Sequence, residues 1–214
     1  MAGKFHHEQL YRGAELVNKL AAVRIILCGA GAVGSNLADN LVRQGLTHLR
    51  AIDHDKVEEH NVSTQLYGEA EIGTWKVEAL RNRLFRATGI EIDAVRKELT
   101  AQNARQILKD ADLVIDAFDN HAARQLVQES VRAAATPCLH VGLHADYCEV
   151  IWDGHYRVPR DVGGDVCDYP LARNVVLMSV FVASEAVIRF VAENTRSSWS
   201  ATLGDMAIRI FEPV

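Results

Sequence analysis

The chain has 214 residues, of which 49% are apolar and 24% charged, a globular composition with room for one well-buried core. Its formal net charge is −5, with 23 Lys+Arg against 28 Asp+Glu. That balance excludes the basic footprint of a nucleic-acid binder or of a protein held to an anionic membrane, while leaving room for a local phosphate site.

Residues 1–22 read as an N-terminal helical segment. The stretch Met1–His7 has no apolar core of the signal-peptide kind, so a cytoplasmic protein is expected. Cys28, Cys138, Cys148 and Cys167 form no CxxC pair, and free thiols follow. Val23–Cys28 is apolar but for Arg24 and ends in glycines, as in a buried parallel strand. Gly34–Gln44 reads as a helix with Leu37, Leu41 and Val42 on one face and Gly45 at its end. A short strand at Leu49–Ile52 and an amphipathic helix at Thr74–Arg86 come next. The pattern then gives a strand at Ile90–Val95, a helix at Ala101–Lys109 and a buried strand at Leu113–Ala117. A helix at His121–Ala135 is broken by Thr136-Pro137.

The back half changes character. Cys138–Leu143 and Glu149–Trp152 read as strands with no helix between them, and residues 155–170 as an irregular crossover-type loop. Leu171–Ala192 reads as a long helix, apolar on most sides and therefore buried. Its apolar run Val175–Ala183 is too short to span a bilayer. Met206–Phe211 alternates as a last strand. The sum is a single α/β domain over 1–214, Rossmann-like, with a mainly parallel sheet and an antiparallel C-terminal extension.

Gly29-Ala30-Gly31-Ala32-Val33-Gly34 is GxGxxG between a strand and a helix. Its glycines allow a tight turn and close phosphate approach, and the helix start offers free N–H groups. Asp53, at the end of the second strand, is placed to accept from ribose hydroxyls. The bland alternative is a packing turn that binds nothing. Turn and acid suit the adenosine half of ATP or of NAD equally. A NAD-dependent oxidoreductase, however, leaves Lys76 and Asp119-Asn120 unexplained.

The wider series is Asp53-His54-Asp55, Asn61-Val62-Ser63-Thr64-Gln65, Gly73-Thr74-Trp75-Lys76 and Asp116-Ala117-Phe118-Asp119-Asn120. In order and spacing it resembles the ThiF/MoeB/HesA family, relatives of the ubiquitin-activating enzymes. The resemblance runs from Val23 to Asn120 and continues more loosely through the later loop and helix. It implies an adenylyltransferase that uses ATP and Mg²⁺ to activate the C-terminal carboxylate of a small ubiquitin-like or sulfur-carrier protein ending in Gly-Gly. It also implies a homodimer, with a heterodimer as the alternative.

In that reading Gly29, Gly31, Ala32, Val33, Gly34, Asp53, Asp55, Asn61, Gln65, Lys76 and Asn120 line the nucleotide. Lys76 serves as phosphate cation and Asp119 as Mg²⁺ ligand. The alternatives are a solvated lysine, a loop acid at Asp55 and a helix cap at Asp119. Cys167 is placed as a thioester acceptor or an ordinary loop thiol, with Asp165 and Asp168 opposing a thiolate.

The chain departs from the family in three places. Thr64 and His7 stand where the family carries arginines, Arg12 being a substitute one turn away, and the paired zinc cysteines are absent. These departures keep a catalytically weak partner subunit as a further reading. His140, His144 and Cys148 recur every four residues, but in strand-like sequence, where that spacing makes no metal site.

Overall fold

The computed structural model describes residues 3–160 and 170–211. Two short helices, α1 (His6–Arg12) and α2 (Ala14–Ala22), fill the N-terminal segment and turn at Gly13, whose φ is 86°. Then follow β1 (Arg24–Cys28), α3 (Ala32–Gln44), β2 (His48–Ile52), α4 (Lys76–Thr88), β3 (Asp93–Val95), α5 (Ala104–Ile107), β4 (Leu113–Asp116) and α6 (His121–Ala134). The back half is β5 (Cys138–His144), β6 (Tyr147–Trp152), α7 (Arg173–Glu193), β7 (Trp199–Thr202) and β8 (Ala207–Ile210).

All eight strands join one sheet in the order β3-β2-β1-β4-β5-β6-β7-β8. Neighbours from β3 to β5 are parallel, and those from β5 to β8 antiparallel. This is the expected Rossmann-like sheet with its antiparallel extension. Strand sequence explains the layering. Ile25 and Leu27 of β1 face a core shared with Leu20, Leu37, Leu41, Leu80, Leu84 and Val187. Ile26 and Cys28, one residue out of step, face a second core with Ile107, Val127 and Val131. Helices α2, α3, α4 and α7 therefore cover one face, and α5 and α6 the other. The register aligns the carboxyl ends: Val95 pairs with Ile52, Ile52 with Cys28, Cys28 with Asp116, and Asp116 with His140.

Three expectations need correction. The strand expected over Ile90–Val95 is only Asp93–Val95. The helix expected over Ala101–Lys109 is a single turn, Ala104–Ile107, led in by Asn103, whose side-chain oxygen accepts from Thr100 N at 2.9 Å. Such local side-chain bonding favours turns over helix. A strand, β7, runs through Trp199–Thr202, where the sequence suggested none. It pairs with β6 and β8, so tertiary pairing and not local propensity makes it. Helix α7 as a whole is long and apolar enough to cross a membrane by length and composition. Ten of its side chains are nonetheless buried against the protein, which marks it as a core helix.

Candidate functional site

The carboxyl ends of β1, β2 and β4 carry the turns that build the site, where open parallel sheets place their ligands. Gly29 has φ +97°, and a Cβ there would lie 2.9 Å from Ala117 O. A Cβ on Gly34 would fall 1.9 Å from Gly29 O, so this glycine lets α3 start directly against the turn. Gly31 differs: a Cβ there meets nothing within 4 Å, so its side is open. Gly31 is also the N-cap of α3, and no side chain caps that end. The first N–H groups of the helix, at Ala32, Val33 and Gly34, therefore face a cradle suited to an anion. Gly34→Ala is expected to destabilise by about 1–3 kcal/mol or more, because backbone must shift. Gly31→Ala is expected to cost at most about 1 kcal/mol. Thermal melts of the two variants check the contrast.

The turn is fastened to the sheet. Gly29 N donates to Ile52 O at 2.9 Å, and Ala117 N to Cys28 O at 2.8 Å. Asp53 is 6% exposed, and its carboxylate accepts from Ala30 N at 2.7 Å and Asp55 N at 2.8 Å. Burial pushes the Asp53 carboxyl above its usual range, against the pull of Lys76 and of the two N–H groups. Lys76 opens α4 and is 9% exposed. Its Nζ lies 3.0 Å from Asp55 Oδ2, so the lysine is no solvated surface residue. Among the described residues, Asp53, His54 and Asp55 form one group of metal-capable side chains, with donor atoms within 4.8 Å of one another. The Lys76 ammonium already serves this loop.

Segment 61–67 closes the same edge. Asn61 is buried, and its Oδ1 accepts from Glu58 N at 2.9 Å, so it shapes the loop. Asn36 Nδ2 donates to Thr64 O at 3.0 Å, and Leu66 N to Ser35 Oγ at 3.0 Å, tying the segment to the first turns of α3. Tyr67 OH donates to Ala30 O at 2.8 Å. Gln65 Oε1 is buried without a hydrogen-bond partner among the described residues, a place for a donor. Arg12 is committed elsewhere, to Glu185 and to Glu8, and does not substitute at the glycine turn.

On the β4 side, Asn120 caps α6, its Oδ1 accepting from Ala123 N at 2.9 Å. The cap is therefore Asn120, and Asp119, exposed beside it, keeps its carboxylate for other duties. Lys76 and Asp119 flank the glycine turn, one beyond β2 and the other beyond β4. Cys167 lies outside the described residues.

Beneath Asp119 is a buried ionic cluster that the sequence did not reveal. Asp116, fully buried, accepts from Phe118 N at 3.2 Å through Oδ1 and from His140 Nδ1 at 2.8 Å through Oδ2. Arg124 NH1 lies 3.8 Å from the same Oδ2 and donates to Tyr156 OH at 2.9 Å. His140 stacks on Tyr156 at 3.7 Å, and its Nε2 reaches Asp153 Oδ1 at 3.2 Å. Asp153 also accepts from Arg132 Nε at 2.8 Å and Gln128 Nε2 at 3.2 Å.

Burial opposes ionisation of Asp153, but hydrogen bonds from His140, Arg132 and Gln128 outweigh it and hold the carboxyl below its usual range. A depressed folded value stabilises the fold above the unfolded pKa of about 4, and that contribution disappears as pH falls through the folded value. Asp153→Asn should therefore cost most stability near neutral pH, the deficit shrinking below about pH 4. Urea titrations of both proteins across pH check this.

The ThiF family model matches residues 7–156. The chain belongs to the ThiF family. Among curated relatives, the sulfur carrier protein ThiS adenylyltransferase of Bacillus subtilis is 27% identical, the match covering 87% of this chain and 60% of that protein. A sulfur carrier protein adenylyltransferase of Thermus thermophilus is 29% identical over 63% of this chain and 51% of its own length. The chain thus spans only about half to three-fifths of these relatives. Among solved structures, E. coli MccB with ATP superposes at TM-score 0.80 and 18% identity, covering 97% of this chain and 69% of MccB. PaaA superposes at TM-score 0.75 and 19% identity, covering 92% and 66%. At such identities these two establish the fold.

The GxGxxG turn, Asp53, Lys76 and Asp119 were visible beforehand as motifs. Ser35, Asn36, Tyr67 and the His140 cluster were not. The available hint was Asp116, a charge closing the otherwise apolar run Leu113–Ile115, which demands a buried partner.

Proposed function

We propose that this chain is an ATP-dependent adenylyltransferase that activates the C-terminal carboxylate of a small ubiquitin-like or sulfur-carrier protein, or of a peptide, ending in Gly-Gly. The observation that carries this reading is the meeting of the GxGxxG turn, the Asp53–Asp55–Lys76 group and Asp119 at one carboxyl edge in a ThiF-family chain. The open cradle at Gly31 and the unpartnered Gln65 oxygen fit a nucleotide.

In the reaction a carboxylate oxygen of the carrier attacks the α-phosphorus. The bond to the bridging oxygen breaks, pyrophosphate leaves with the electron pair, and an acyl-adenylate remains. The N–H groups of Ala32–Gly34 hold phosphate oxygens, Asp53 the ribose, and Lys76 the charge that grows on the leaving group. Asp119 is our choice of Mg²⁺ ligand, the ion supplying further charge neutralisation on the phosphates. A cytoplasmic location and a homodimer complete the proposal, and for the homodimer Leu10 and Tyr11 of α1, 72% and 83% exposed, offer an apolar contact.

ATP–pyrophosphate exchange with a Gly-Gly-ended carrier tests the reading. Carrier-dependent exchange by the purified chain supports it and removes the weak-subunit alternative. No exchange together with no ATP binding overturns it, and saturable NADH binding without ATP binding would replace it by an oxidoreductase.

A further inference from the structure

The edge that takes the phosphates carries too little positive charge. Asp53, Asp55 and Asp119 contribute three carboxylates, against which Lys76 sets one ammonium, itself 3.0 Å from Asp55. A Mg²⁺ ion held by Asp119 would offset only part of the negative charge that a triphosphate adds, so a further protein cation is required on electrostatic grounds. Arg12, Arg83 and Arg124 are held by Glu185, Glu71 and Asp116. Thr64, on the segment that closes the edge, brings no charge.

We propose that Arg173, the first residue of α7, is a phosphate-binding residue of this site, an inference that rests on the ATP reading above. Its NH1 lies 3.5 Å from Ser63 O, next to the residue whose carbonyl is held by Asn36 of α3. Helix α7 packs along α3, with Asn40 Nδ2 donating to Ser184 Oγ at 2.9 Å. From that contact, α7 runs back about 16 Å to Arg173 and α3 about 12 Å to Ala32, at 1.5 Å per residue. The Ser63 and Asn36 contacts fix the sense: the two helices start at the same edge, so Arg173 stands level with the open N-terminus of α3 or a few ångström beyond it.

Two further features mark this arginine. A cation in the first turn of a helix opposes the helix dipole, and α7 has no acid there to offset it. Among the described residues Arg173 has no carboxylate within ion-pair distance, and it is exposed. Its position thus works against helix stability and suits an anionic ligand, in the manner of residues kept for function. The guanidinium fork is also the side chain best matched to phosphate oxygens.

Calorimetric titration of ATP and of AMP into the wild type, Arg173→Ala and Arg173→Lys tests the assignment. Arg173→Ala should raise the Kd for ATP about tenfold and Arg173→Lys about threefold, with the Kd for AMP changed less than about twofold. The melting temperature of Arg173→Ala should stay level or rise. An unchanged Kd for ATP in Arg173→Ala, with tight binding by the wild type, overturns the assignment and leaves the adenylation reading standing. An equal loss for AMP and ATP also overturns it, since the arginine would then act through the fold of the pocket. If the wild type itself fails to bind ATP, the adenylation reading falls and the assignment with it.

Discussion

Lys76→Met is expected to lower the rate of pyrophosphate exchange by about 10²–10³-fold while leaving the chain folded. The side chain is largely buried at the start of α4, and Met keeps most of its packing. What is lost is the charge. In the folded state that charge pairs with Asp55, whose side chain is 53% exposed, and also favours ionisation of the buried Asp53, so the stability cost is about 1–3 kcal/mol. In the proposed reaction the same charge faces the anionic oxygens that develop as pyrophosphate departs. The Kd for ATP should change less than the exchange rate, because an interaction that strengthens in the transition state is felt mainly in turnover. Exchange kinetics beside calorimetry and a thermal melt separate these outcomes. An unchanged exchange rate would remove Lys76 from the chemistry and return it to a structural pair.

Asp116→Asn is expected to cost about 3–5 kcal/mol, or roughly 6–20 °C in melting temperature for a chain of this size. The change is nearly isosteric, so packing is preserved and the effect is electrostatic. Asp116 is fully buried, between His140 at 2.8 Å and the Arg124 guanidinium at 3.8 Å. Neutralising it leaves a buried guanidinium whose acceptors among the described residues are Tyr156 OH and Val141 O. The comparison variant is Asp112→Asn, which breaks the exposed pair with Arg24 and should cost no more than about 1 kcal/mol. Urea unfolding of the two variants decides the matter. Equal small losses would mean that water or a rotamer change rescues the buried cluster.

Much of the fold was legible because parallel strands announce themselves. Ile25–Cys28 and Leu113–Ile115 are buried on both faces and so read as unbroken apolar runs, while Gly29, Gly31 and Gly34 mark the turn between strand and helix. What stayed hidden was what depends on partners distant in sequence. Strand β7 exists because β6 and β8 flank it, and its own residues, Trp199–Thr202, carry no strong pattern. His140 sits in a strand among apolar neighbours, and only the register that sets it opposite Asp116 reveals its duty. The helix cap that the sequence offered at Asp119 falls instead to its neighbour Asn120, and nothing short of backbone geometry separates the two. The proposed site residues, by contrast, were picked out by type and spacing, and the sheet order puts their strands side by side.

The backbone bonds from Gly29 to Ile52 and from Ala117 to Cys28 extend the strand ladder past the ends of β1 and β4. The floor of the proposed nucleotide site is therefore hydrogen-bonded sheet and not loop. A ligand arriving there finds its donors already in position, and little chain entropy remains to be lost on that side. Any ordering that accompanies binding must then come from the groups that close over the ligand from above, and amide exchange at Gly29 and Ala117 should be slow with or without it.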